Sequence, residues 1–203
     1  MTIQTSLGRR NFLVSSAAVA GGFSLGFHVP FLDDGAANAQ AVKELNAWVV
    51  IHPDDKVVIR VARSEMGQGT LTGLCQLVAE ELDCDWNKVA WEYPTPGENL
   101  ARNRVWKNFS TGGSRGIRES NQYVREGGAM AREMLIAAAA AQWKVPASEC
   151  SVDKGVISHK DKKLTYGAVA AAAAQLEPPK QVKLKAPKDW KIAGKPLKRL
   201  DTV

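Results

Sequence analysis

The chain has 203 residues, 45% hydrophobic and 24% charged, with a formal net charge of +6; that is enough for a globular domain with its own core. The charge excess is local, because residues 40–179 hold 17 basic and 17 acidic side chains, while residues 180–199 hold seven lysines and Arg199 against Asp189 alone. A neutral body argues against nucleic-acid binding, which needs its basic face on the folded part. Three cysteines without a Cys-x-x-Cys pair give no disulfide framework and no zinc or iron–sulfur site in this chain.

In chain order, Gly8-Arg9-Arg10-Asn11-Phe12-Leu13 is a twin-arginine pattern. The modestly apolar stretch to Phe31 is broken by Gly21, Gly22, Ser24 and Gly26, and Ala37-Asn38-Ala39 offers a small-x-small cleavage site. Residues 1–39 are therefore expected to be a signal peptide that exports the folded chain to the periplasm. The stretch is too glycine-rich for a membrane span, which takes about 20 mostly apolar residues. Strands are expected at Ala47–Ile51 and Lys56–Val61 around the turn His52-Pro53-Asp54-Asp55, and again at Lys88–Tyr93. Between them, Leu71, Leu74, Cys75, Val78 and Leu82 form the stripe of an amphipathic helix with Thr70 as its N-cap. Glu80 and Glu81 on that helix are expected to be solvated or salt-bridged.

Pro94 to Asn108, with Arg102, Arg104, Trp106 and Lys107, reads as a solvated loop packed under Trp106 ahead of the alternative that it touches a nucleotide or a single strand. A second long helix is expected from about Ser120 to Trp143 with Tyr123, Gly127, Met130, Ala131, Met134 and Ala138 along one face. Ser151–Ile157 and Lys162–Leu164 read as a hairpin turning at His159-Lys160-Asp161, followed by a helix from Tyr166 to Ala174. Cys75 and Cys84 sit about 13 Å apart on helical spacing, too far to bridge. No histidine has a second ligand at metal spacing. The fold class is α+β, with a mixed or antiparallel sheet and two long helices.

Two glycine-rich loops precede the long helices. Glu65-Met66-Gly67-Gln68-Gly69-Thr70 enters the first and Phe109-Ser-Thr-Gly-Gly-Ser-Arg-Gly116 the second. Free backbone N–H groups facing outward at Gly67, Gln68 and Gly69, at the positive end of a helix, suit an anionic ligand, and two such loops could clasp one extended cofactor from two sides. Either loop alone could equally be a tight turn. Neither is a P-loop or a dinucleotide fingerprint.

Together with Gln76, Ala79-Glu80-Glu81-Leu82, Thr111-Gly112-Gly113-Ser114-Arg115 and Gly128-Ala129-Met130-Ala131-Arg132, the first loop resembles the large, molybdopterin-binding subunit of the xanthine dehydrogenase family. The nearest branch is that of isoquinoline 1-oxidoreductase beta subunits and periplasmic aldehyde dehydrogenases. The resemblance implies a partial molybdenum-cofactor-binding domain over residues 40–179. Residues 180–203 would be a basic Pro/Lys linker to a domain absent here, so the chain reads as an N-terminal fragment, inactive alone. It implies that Gly67, Gln68, Gly69, Gly112, Gly113 and Ser114 contact molybdopterin, as its cytosine dinucleotide with molybdenum, and that Arg115 meets a phosphate. It further implies oxidation of aldehydes or hydroxylation of N-heteroaromatics with water. Electrons would pass to a [2Fe–2S] subunit and on to a cytochrome c subunit. The family's base glutamate has no counterpart in this chain, so no catalytic residue or metal ligand is assigned. The rivals are an exported non-catalytic scaffold of the same fold, and an enzyme of another class holding a nucleotide in the glycine loops.

Overall fold

The computed structural model describes residues 43–202; the leader expected over residues 1–39 lies outside them. Strands β1 (Lys43–Glu44), β2 (Val49–Ile51), β3 (Val57–Arg60) and β4 (Val89–Glu92) form one sheet in that order. β1, β2 and β3 are antiparallel, and β3 pairs with β4 in parallel, Val57 opposite Val89 and Arg60 opposite Glu92. A parallel neighbour needs a crossover, and helix α1 (Thr70–Leu82) supplies it. The sheet is thus mixed, as expected for an α+β fold.

α1 forms because its stripe has somewhere to go. Leu71, Leu74, Cys75, Val78 and Leu82 are all 2% exposed or less, and each large apolar side chain so buried contributes about 1.5–3 kcal/mol. Its main partner is α4 (Asn121–Trp143), which buries Val124, Ala131, Met134, Leu135 and Ala138 in the same core. The helices touch closely at Gly128, where a Cβ would sit 2.5 Å from Val78 O.

Two shorter helices lie between α1 and α4. Helix α2 (Pro96–Ala101) corrects the loop expected from Pro94 to Asn108. Thr95 caps it in a full capping box with Glu98, and Pro96 opens it. The Trp106 part of that expectation holds. Trp106 is 1% exposed, donates Nε1–H to Ala47 O at 2.9 Å and meets Trp48 edge-on. Helix α3 (Arg115–Arg118) follows the second glycine loop.

The C-terminal half adds a three-stranded antiparallel sheet, β5 (Ser151–Asp153), β6 (Val156–His159) and β7 (Lys162–Thr165), then α5 (Tyr166–Ala173). The expected hairpin strand Ser151–Ile157 is in fact broken by a two-residue turn. Lys154 and Gly155, at φ 49° and 76°, both take the left-handed region such turns demand. His159 is not in the later turn but ends β6, buried, with Nε2 3.0 Å from Glu149 Oε2.

Residues 180–202 carry little regular structure, yet they fold back on α1. Glu80 Oε2 accepts from three successive tail amides, Lys191 (2.8 Å), Ile192 (2.5 Å) and Ala193 (3.0 Å), and Lys185 Nζ lies 3.2 Å from Oε1. Glu81 is gripped by Arg125 and accepts from Lys185 N at 3.1 Å. The expectation that these glutamates are solvated is therefore corrected: both are at most 1% exposed, because the tail covers them, while the salt-bridged alternative holds. Among the described residues, no helix is long and apolar enough to cross a membrane.

Candidate functional site

The first glycine loop is closed by its own glutamate. Gly69, at φ 81°, is the N-cap of α1 and brings no side-chain cap; Thr70 is already helical and buried, which corrects its assignment as the cap. The cap comes from farther back. Glu65 Oε1 accepts from Gly67 N (2.7 Å) and Gly69 N (2.9 Å), and Oε2 from Leu71 N (2.9 Å). A carboxylate at the positive end of a helix satisfies donors that would otherwise be orphaned. Burial works against its charge, but the three amides outweigh that and hold the Glu65 carboxyl below its ordinary range. The amides of Gly67 and Gly69 are thus occupied and do not face outward free, as the sequence led us to expect. Gln68 also folds onto its loop, with Oε1 accepting from Met66 N (2.6 Å) and Nε2 donating to Ser64 O (3.1 Å).

The second loop does not lead straight into a long helix. It passes through Gly113 and Ser114, at φ 67° and 58°, into the single turn of α3, and α4 begins only at Asn121. The turn is laid against α1 at Gly116, where a Cβ would meet Thr70 Oγ1 at 2.7 Å. One long helix start, not two, therefore flanks the loops. Arg115 is exposed, and its Nη1 donates to Ser110 Oγ at 3.3 Å; Arg118 Nη2 donates to Gly113 O at 3.2 Å.

The two loops nevertheless meet. Ser64 O accepts from Gln68 Nε2 in one and from Thr111 Oγ1 (3.4 Å) in the other. Between them lies a cleft of about 440 Å³, with Gln68 and Thr70 on one wall and Thr111, Gly112, Gly113 and Ser114 on the other. Met66 and Ile117, 69% and 39% exposed, add apolar surface. The first loop alternates: Glu65 takes the amides of residues 67, 69 and 71, and residues 66, 68 and 70 line the cleft. Among the described residues, nothing accepts from the amides of Gln68, Thr70, Gly112, Gly113 or Ser114. A Cβ at Gly112 would meet no atom within 4 Å. A second groove of about 420 Å³, beside Met134, Ile136 and Leu176 on α4 and the residues after α5, is apolar and gathers no comparable donors.

Behind the cleft stands Arg63, which the sequence reading missed. Only 2% exposed, it donates from Nε to Ser120 Oγ (3.0 Å) and from Nη1 to Asn108 Oδ1 (2.9 Å) and to Ser110 O. It ties the exit of β3 to the start of the second loop. An arginine three residues after a strand carries no local signal of such a role, because its partners lie 45 to 57 positions away.

Two facing sets of backbone amides and hydroxyls, with bare glycine beside them, match a ligand rich in hydrogen-bonding edges. The molybdopterin cofactor-binding domain family matches residues 15–200. This chain belongs to that family. Among members of the wider group, the isoquinoline 1-oxidoreductase beta subunit of Brevundimonas diminuta is 33% identical over 171 residues, which is 82% of this chain and 22% of that protein. The membrane-bound, pyrroloquinoline-quinone aldehyde dehydrogenase of Gluconacetobacter polyoxogenes is 29% identical over 174 residues, 83% of this chain and 22% of that protein. The chain thus spans about a fifth of these relatives' length. The reconstituted CO dehydrogenase from Oligotropha carboxidovorans shares the fold, with a TM-score of 0.50 at 22% identity over 64% of this chain and 16% of that one. For a molybdopterin-binding domain the donor set fits. A pterin edge and a phosphate both need N–H and O–H donors, and the cleft offers unpaired amides at Gly112, Gly113 and Ser114 beside the Ser114 hydroxyl.

Proposed function

We propose that this chain is the cofactor-holding portion of a molybdenum hydroxylase large subunit. The observation that carries the reading is the single cleft in which the two glycine loops converge with unpaired donors on both walls. Bound there, the molybdenum cofactor supplies two-electron oxidation of an aldehyde or an electron-poor N-heteroaromatic ring, with water as the oxygen source. The chain's own residues bind and orient. Gly112, Gly113 and Ser114 give amides and a hydroxyl to the phosphate or pterin edge, and Arg115, exposed at the loop's end, adds positive charge. Gln68 supplies the second wall, with Gly67 and Gly69 shaping the turn that presents it.

Glu65, Glu80 and Glu81 are each committed to backbone amides, so none of the three is assigned as the base. The cytosine dinucleotide form of the cofactor, a [2Fe–2S] partner subunit, a cytochrome c subunit beyond it, and twin-arginine export of residues 40–203 to the periplasm complete the proposal. In the same reading, residues 40–179 form the cofactor domain and residues 180–203 join it to the rest of the subunit.

The test uses two variants of the full protein. Gln68→Ala removes a cleft side chain, and Gly112→Val fills open space without touching any loop bond. Each is expected to lower bound molybdopterin, measured as the fluorescent oxidised pterin, by about tenfold, the equivalent of one or two hydrogen bonds. Unchanged pterin content in both variants refutes the reading. A wild-type protein that never carries pterin points to the scaffold.

A further inference from the structure

The last residues of the tail reach the first glycine loop. Arg199 donates from Nη1 to Gly67 O at 3.3 Å, and its Nη2 lies 3.4 Å from Glu65 Oε1. The same guanidinium holds Asp201 by two bonds, Nε to Oδ1 at 3.1 Å and Nη2 to Oδ2 at 2.6 Å. Asp201 and Leu200 are in turn fixed to the first turn of α1. Thr72 Oγ1 donates to Asp201 Oδ1 at 3.2 Å and accepts from Leu200 N at 3.0 Å. The guanidinium therefore stands between two carboxylates of like charge, one of them the cap of the loop.

We propose that Arg199 is a positioning residue for the cleft. It holds Glu65 where that carboxylate collects the amides of Gly67, Gly69 and Leu71, and so keeps Gln68 and Thr70 at the cleft wall. The proposal rests on the cofactor reading above only for what the cleft receives; the clasp itself is a matter of loop order. A lysine could supply the charge, but not the fork that meets Asp201 with two bonds while reaching Glu65 and the Gly67 carbonyl. Without a cation, Glu65 and Asp201 repel, and the loop loses the one side chain that ties its carbonyl edge to the tail.

The clasp makes docking of residues 199–201 a condition for an ordered first loop. A plain surface ion pair would leave the loop amides indifferent to Arg199. A clasp acting through Glu65 makes the two residues interdependent.

The experiment is amide hydrogen exchange on the full protein, comparing wild type, Arg199→Ala, Arg199→Lys, Glu65→Gln and the double variant R199A/E65Q. Arg199→Ala is expected to speed exchange at Gly67, Gly69 and Leu71 by about fivefold, the scale of a partly exposed charged contact. The amides of Leu77 to Leu82, in the buried part of α1, serve as the folding control and stay protected. Arg199→Lys is expected to recover part of the protection, and Arg199→Ala to add nothing once Glu65 is glutamine. Unchanged exchange in Arg199→Ala, or an equal effect with and without Glu65, overturns the proposal. Its failure is separable from failure of the cofactor reading. Pterin loss in Gly112→Val with unaltered exchange in Arg199→Ala removes the clasp alone. Faster exchange in Arg199→Ala with pterin retained in both Gln68→Ala and Gly112→Val removes the cofactor reading alone.

Discussion

Replacing Glu80 by alanine takes away the acceptor for the amides of Lys191, Ile192 and Ala193 and one of the two carboxylates that Lys185 meets, the other being Asp83 at 2.7 Å, all at a side chain 1% exposed. Each charge-assisted bond contributes a net of about 1.5–3 kcal/mol. The four share one carboxylate, so they do not add independently. Removing one partner from a buried charged group costs about 3–5 kcal/mol, and we expect Glu80→Ala to fall near the middle of that range. Glu80→Gln keeps an oxygen for the amides but turns an NH2 toward Lys185, and should lose about half as much. Urea unfolding followed by tryptophan fluorescence measures both. With a slope of about 2 kcal/mol per molar, Glu80→Ala should move the midpoint down by about 2 M. Amide exchange should show Lys191 to Ala193 deprotected first. A Glu80→Ala protein within about 1 kcal/mol of wild type, with those three amides still protected, would show that the carboxylate does not anchor the tail.

Acid should weaken the same contacts. Glu44, Glu65 and Glu80 are each opposed by burial, yet their bonds to Arg102 and Arg60, to loop amides and to tail amides hold the carboxyls below the ordinary range. Their folded values lie under the unfolded one, so their stabilisation is full above about pH 4.3 and is lost as pH falls through the folded values. Urea midpoints that rise on acidification below pH 4 would contradict this. Gly128→Ala forces a Cβ to within 2.5 Å of Val78 O, a backbone atom that cannot move alone. Overpacking costs about 1–3 kcal/mol and exceeds the roughly 1 kcal/mol that alanine returns in helix propensity, so thermal unfolding should show a net loss. Arg63→Met leaves Ser110 O without its side-chain donor and takes one of two donors from Asn108 Oδ1, which keeps the Ser110 amide. It should cost about 2 kcal/mol, the scale of a buried acceptor left unsatisfied, and make the Arg115 and Arg118 bonds faster trypsin sites, whereas a second loop equally resistant in the variant would count against Arg63 as its anchor.

The parts of the fold set by local periodicity were legible. The stripe from Leu71 to Leu82 and the long helix ending at Trp143 follow from spacing alone, and both match. Helix α2 was legible and overlooked: Thr95-Pro96-Gly97-Glu98 is a capping box with proline in the first turn, hidden by the basic and aromatic residues that follow. The cap of α1 was not legible. A threonine beside the helix start is the local candidate, but a carboxylate five residues upstream can reach back only once Gly67 and Gly69 have turned the chain through positive φ. Glu80 and Glu81 illustrate the same limit, since their burial depends on residues 104 to 113 positions later. For the cleft, the sequence pointed to the two loops, and geometry shows that Gln68, Gly112, Gly113 and Ser114 line it while Gly67 and Gly69 turn their amides to Glu65.

The tail's anchor reads main chain rather than side chains. Any amino acid except proline can present the amide that Glu80 needs at positions 191, 192 and 193, whereas a one-residue insertion between Lys185 and Lys191 shifts the whole register. The anchor itself thus constrains length rather than composition, while core packing separately limits side-chain size at Ala193. Cutting the chain near residue 180 would remove no α-helix or strand of the described fold, yet it would take the three tail amides and Lys185 from Glu80 and leave Glu81 with Arg125.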